Sequence, residues 1–151
     1  MSRGLKSAAL LAEARALSAD FDRLSQAVAE RVGLSTTELL AMDLISRQDG
    51  VTAGQLAREL SLTTGGVTGL LDRLHKAGLA RRESDPNDRR RVFVRATAKE
   101  ARIADHYRRL ANDLRKAVDG YSEDDLAMLT EFLGRLRAAV GSSVEAVKRP
   151  G

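Results

Sequence analysis

Three consecutive arginines, Arg89, Arg90 and Arg91, follow directly on the turn-forming stretch Asp85-Pro86-Asn87-Asp88, and an alternating apolar run to Ala96 follows them. The pattern predicts a β-hairpin built from Leu79 to Glu83 and Arg91 to Ala96, with its densest positive charge at the tip. A guanidinium held out on a turn can pair with phosphate, or enter a narrow minor groove where the negative potential is enhanced. Arg89 and Arg90 are the expected tip cations, with Arg81 and Arg82 at the base of the hairpin. Asp88 would be repelled by phosphate, so its expected role is to brace the wing by holding a neighbouring arginine through charge-assisted hydrogen bonds. The competing reading is a merely solvated charge run; a proline turn that aims the tip outward argues against it.

The segment before the hairpin carries the pattern of a helix-turn-helix. In residues 53 to 72, AGQLARELSLTTGGVTGLLD, Leu56 and Leu60 line a short first helix and Leu62 plugs the turn. Val67, Leu70, Leu71 and Leu74 line the second helix, and Ala57 is small where the two would cross. Ser61 stands where many such motifs have glycine, which predicts an α-like backbone there. At about 100° per residue the second helix turns Gly65, Gly69, Asp72 and Lys76 outward, flanked by Thr68 and Arg73. Each helical glycine costs about 1 kcal/mol against alanine. Two uses for them stay open: close approach to a major groove, or shaping of the helix N-terminus. On the first reading Thr63, Thr64 and Thr68 reach phosphates, base edges or thymine methyls. Arg73 and Lys76 are assigned to phosphates, with plain surface solubility as the rival for Lys76. Asp72 is expected to pair with Lys76 one turn on.

A helix from about Glu123 into the 140s and a long helix from about Leu5 to Val32, capped by Gly33, frame this module. The other helices are expected at Thr36–Arg47, Ala53–Leu60, Thr64–Ala77 and Ala98–Asp119. Ser35–Glu38, Thr52–Gln55, Thr97–Glu100 and Ser122–Asp125 each match a capping box, in which a hydroxyl and a later acid or amide satisfy free N–H groups reciprocally. The fold class is therefore mostly α with a small β-hairpin wing: a winged helix-turn-helix at residues 35–97, dimerisation helices at 1–34 and 98–147, and a tail at 148–151. Leu10, Ala14, Leu17, Phe21, Leu24 and Val28 form a coiled-coil-like seam on the first helix. That seam, with the long apolar faces of the last two helices, exceeds what the helix-turn-helix can cover, so a homodimer is expected.

With 151 residues, net charge +4 and no cysteine, the chain reads as one cytoplasmic subunit without disulfide or thiolate chemistry. His75 and His106 have no metal-ligand spacing. Gly65-Gly66 lacks the Gly-Lys-Ser/Thr ending of a phosphate loop. The expectation is no enzyme, no metal and no cofactor.

The stretch TTGGVTGLLDRLHKAGLARRESDPNDRRRVFVRAT resembles the core signature of the MarR family of bacterial transcription regulators. Asp88 and Arg90 match the family's Asp-x-Arg wing, and Thr97 matches its Leu-Thr; Ala96 and Glu100 depart from it. The resemblance implies a homodimer that binds a near-palindrome in double-stranded DNA, in most cases a repressor answering to a small-molecule effector. The effector cleft would lie between the dimer helices and the winged domain. Phe21, Met42, Ile45, His106 and Tyr107 are of the type that lines such a cleft, and each is read first as core or interface. The rival reading is a winged-helix module for protein–protein contact, against which the basic wing speaks.

Overall fold

The computed structural model describes residues 3–48, 50–85, 88 and 91–148. Helix α1 runs Arg3–Val32, α2 Thr36–Arg47, strand β1 Val51–Thr52, α3 Ala53–Glu59, α4 Thr64–Lys76, β2 Ala80–Ser84, β3 Val92–Ala96, α5 Ala101–Val118 and α6 Glu123–Lys148. The chain divides within α5 into two compact units, Met1–His106 and Tyr107–Gly151.

Three of the predicted capping boxes form. The Ser35 hydroxyl accepts from the Glu38 N–H while Glu38 takes the Ser35 N–H, and Thr52 with Gln55 does the same for α3. Ser122 and Asp125 repeat the arrangement at α6. The fourth does not form: Thr97 donates its hydroxyl to the Gly78 carbonyl at 2.6 Å and accepts from the Lys99 N–H. Ala98–Glu100 is a 3-10 turn, and α5 starts only at Ala101.

In the first unit the core is the inner face of the helix-turn-helix. Met42, Ile45, Leu56, Val67, Leu70 and Leu74 are fully buried, together with Val51 and Val94 from the sheet; a buried side chain of this kind contributes about 1.5–3 kcal/mol. Strand β1 was not anticipated. It pairs antiparallel with β3, Val51 opposite Val94, and makes the sheet three-stranded in the order β1-β3-β2. In the hairpin, Ala80 lies opposite Ala96 and Ser84 opposite Val92.

Helices α1 and α4 end in the same way. Gly33 and Gly78 are left-handed, and the following N–H reaches back to Ala29 and Leu74 respectively. The turn between α3 and α4 uses the same motif without glycine. The Leu62 N–H bonds the Ala57 carbonyl at 2.9 Å and the Ser61 N–H bonds Arg58. Ser61 has φ +54° and is the one left-handed non-glycine among the described residues. The α-like backbone expected there is thus corrected. Closing this turn needs a left-handed residue whatever its side chain.

The seam of α1 is covered only at its C-terminal end, where Val28 is buried; Leu10, Leu17 and Phe21 stay exposed. In the second unit Met128, Leu133, Val140 and Val144 of α6 are exposed.

Candidate nucleic-acid interface

Helix α4 is capped by Thr63, whose hydroxyl accepts from the Gly66 N–H at 3.1 Å. That oxygen is therefore a cap first and a candidate contact second. The helix buries Val67, Leu70, Leu71 and Leu74, as its apolar spacing predicts. Thr64, Gly65, Thr68, Asp72, Arg73 and Lys76 lie exposed, and Gly69 is half-buried. A Cβ built on Gly65 would meet nothing within 4 Å, so this part of the helix presents bare backbone. Thr68 donates its hydroxyl to the Thr64 carbonyl at 2.9 Å, so its proton is engaged while its oxygen can still accept. Lys76 makes no ion pair with a described residue.

The other charges of α4 are tied to neighbouring elements. Asp72 bonds Arg82 of β2 at 2.8 Å, linking the helix to the base of the wing. This corrects the expected pairing with Lys76: the strand brings a guanidinium to Asp72 that the helix sequence does not contain. Arg73 donates its Nε–H to Glu38 Oε1 at 2.5 Å. The Glu38 side chain is 8% exposed and that of Arg73 63%. Burial raises the Glu38 pKa, but bonds from the Ser35 N–H, Arg73 and the Ser35 hydroxyl, with the Arg73 charge, outweigh it. The carboxyl is held below its ordinary value.

In the wing, Arg81 faces Arg95 across the ladder. Like charges directly opposite destabilise a sheet, and Glu83 resolves the conflict by pairing with Arg81 at 2.5 Å and Arg95 at 2.7 Å. The hydrogen bond from Arg81 is the main reason the Glu83 carboxyl lies below its ordinary pKa. Beyond Ser84 the Asp85 N–H bonds the Arg91 carbonyl at 2.9 Å, and the Arg91 N–H bonds the Asp88 carbonyl at 2.8 Å. Asp88 is half-buried at this turn. Asp85 is buried, with its carboxylate 3.9 Å from the Arg91 guanidinium, which also lies 5.2 Å from the Phe93 ring centre. Arg89 and Arg90, the expected tip cations, lie outside the described residues.

The structure thus brings Thr63, Thr64, Gly65, Thr68, Gly69, Arg73 and Lys76 onto one helix, beside the strands that carry the wing. Three carboxylates that organise the site, Glu38, Asp72 and Asp85, were not read in those roles. For Glu38 a signal existed: the capping box accounts for one carboxylate oxygen and leaves the other unassigned. Among the residues named for an effector cleft, Met42 and Ile45 are core at 1% exposure, whereas Phe21 and His106 are exposed.

The comparisons with known proteins agree with this geometry. The MarR family model matches residues 32–91. The HTH-type transcriptional regulator YcgE of Bacillus subtilis is 38% identical over 82% of this chain and 81% of its own. A MarR family protein from Bacillus stearothermophilus superimposes with a TM-score of 0.68 over 93% of this chain and 99% of its own, at 19% identity. FabT of Streptococcus pneumoniae, solved in complex with DNA, gives 0.63 over 88% and 98% at 26% identity. A helix-turn-helix with a hairpin wing, and a relative this similar over most of both chains, lead to one assignment: the chain belongs to the MarR family of transcription regulators.

Proposed function

We propose that the chain is a sequence-specific double-stranded-DNA-binding regulator that acts as a homodimer, with α4 in the major groove and the wing tip at phosphates or the minor groove. The observation that carries this reading is α4 itself. One face is fixed by four buried residues, and the opposite face carries bare backbone, threonines, two cations and one carboxylate, Asp72, which Arg82 pairs. The DNA complex of FabT supports it. The exposed apolar residues of α1, and separately those of α6, support a dimer. Two recognition helices related by a two-fold axis meet successive major grooves about 34–36 Å apart, hence a near-palindromic site.

An open cleft of about 500 Å³ in the first unit supports the ligand-responsive part of the reading, for a repressor or an activator alike. Arg31, Lys99, Arg102 and His106 line it with Val32, Leu79 and Ile103, and no carboxylate among the described residues does. That lining suits a small organic anion. Ala77, the last cap of α4, also borders it, so occupancy bears on the junction between the recognition helix and the wing. The test is to sequence genomic DNA that copurifies with the protein, then titrate the recovered site and a random duplex at several salt concentrations. Recovery of one near-palindrome, bound far more tightly than random duplex, is the expected result. Failure to bind either duplex at low salt sinks the reading and leaves the protein–protein module.

A further inference from the structure

We propose that Glu38 is a positioning residue for DNA binding: it holds the Arg73 guanidinium in one orientation, presenting its terminal amino edge to a backbone phosphate. This rests on the DNA-binding reading and deepens it. Capping α2 does not explain a buried carboxylate. Glu38 Oε2 serves the cap, accepting from the Ser35 N–H at 2.8 Å and its hydroxyl at 2.9 Å. The neutral amide of Gln55 performs the same task for α3, taking the Thr52 N–H at 2.7 Å. Burying a charge is costly unless it is paired. The charge at position 38 has another partner, the Arg73 Nε on a helix 35 residues away in sequence.

The Nε–H is the rear of the guanidinium fork. Its engagement leaves both terminal amino groups on a side chain that is 63% exposed, with no bond to another described residue. Nη1 lies 3.5 Å from where a Cβ on Gly69 would stand, so the head folds back along α4 over that glycine. A Cβ at position 69 would make only an ordinary contact with this head, so it is a side chain longer than alanine that would crowd it. A fork held in place loses less side-chain freedom on meeting phosphate than a free one.

The sign of the effect tests the idea. Removing a negative charge beside the interface should, by electrostatics alone, tighten binding to a polyanion; loss of positioning weakens it. The full-length protein, E38Q, R73A and the double variant are titrated on a random-sequence duplex at several salt concentrations, with thermal melts for folding. R73A is expected to bind about tenfold more weakly, and its slope of log affinity against log salt to shrink by about 0.9. E38Q is expected to bind roughly fivefold more weakly, and to cause no further loss when Arg73 is already absent. Wild-type or tighter binding by E38Q overturns the proposal, as does an equal loss in both backgrounds, which would mean Glu38 acts through α2 alone. R73K tests the same point should E38Q melt: it keeps the charge and leaves Glu38 its counter-ion, so weakened binding with an unchanged salt slope supports the held fork, and wild-type affinity refutes it. If the wild-type chain binds no duplex, the DNA-binding reading falls first and this inference with it.

Discussion

Replacing Ser61 by glycine should stabilise the protein. Ser61 closes the helix-turn-helix in the left-handed region at φ +54°. An L-residue there carries a cost of about 1–2 kcal/mol from the clash of Cβ with the following carbonyl oxygen. Glycine removes the clash but gives back about 0.5–1 kcal/mol, because its unfolded chain has more freedom to lose. The turn keeps its two backbone bonds, Leu62 to Ala57 and Ser61 to Arg58. Ser61 is exposed, so no packing is lost. The net gain is about 0.5–1 kcal/mol, or a rise in Tm of about 1–4 °C for a chain of this size. Thermal and urea melts of wild type, S61G and S61A at matched protein concentration would measure it, since association shifts apparent stability. Alanine loses the hydroxyl but keeps the strain, so it should stay within about 0.5 kcal/mol of wild type. If glycine is no more stable than alanine, the turn holds no left-handed strain and the argument fails.

Leu74→Ala should cost about 2–5 kcal/mol in a urea melt, because its side chain is 0% exposed and a cavity would remain between α4 and its neighbours. Gly69→Leu should gain about 1 kcal/mol of helix stability while weakening duplex binding, since its bulk beyond Cβ would stand in the groove and crowd the Arg73 head; undiminished affinity would place this face outside the groove. The Glu38 pKa is lowered on folding, so the stability it contributes is fully present above the ordinary carboxyl value of 4.5 and is lost as pH falls through the folded value. Glu38→Gln should therefore cost about 1–3 kcal/mol near neutral pH, and denaturation at successively lower pH below 4.5 should show the gap to wild type narrowing. Arg90→Ala should leave fold and association intact and reduce the salt slope of DNA binding by about one unit; wild-type affinity and slope would make the arginine-rich turn a solvated one.

The sequence by itself determined what depends on near neighbours. Val67, Leu70, Leu71 and Leu74 return at the helical period, so the buried face of α4 follows from spacing alone. The boxes at Ser35, Thr52 and Ser122 join groups three residues apart, and a short window contains both partners. The hairpin was legible because its alternation flanks a turn. The tertiary structure decided the pairings between distant segments. Strand β1 has two residues, too few for a period, and is a strand only because β3 arrives beside Val51. Asp72 has a lysine at the helical spacing of four, yet binds Arg82, which β2 carries to it. Thr97 had its box partner at Glu100 and instead gave its hydroxyl to Gly78. Glu38 and Arg73 meet across 35 residues. Local patterns fix which backbone groups a segment satisfies within itself; which remaining charge or hydroxyl finds which partner depends on where the chain returns, and that is set by the packing of the apolar faces.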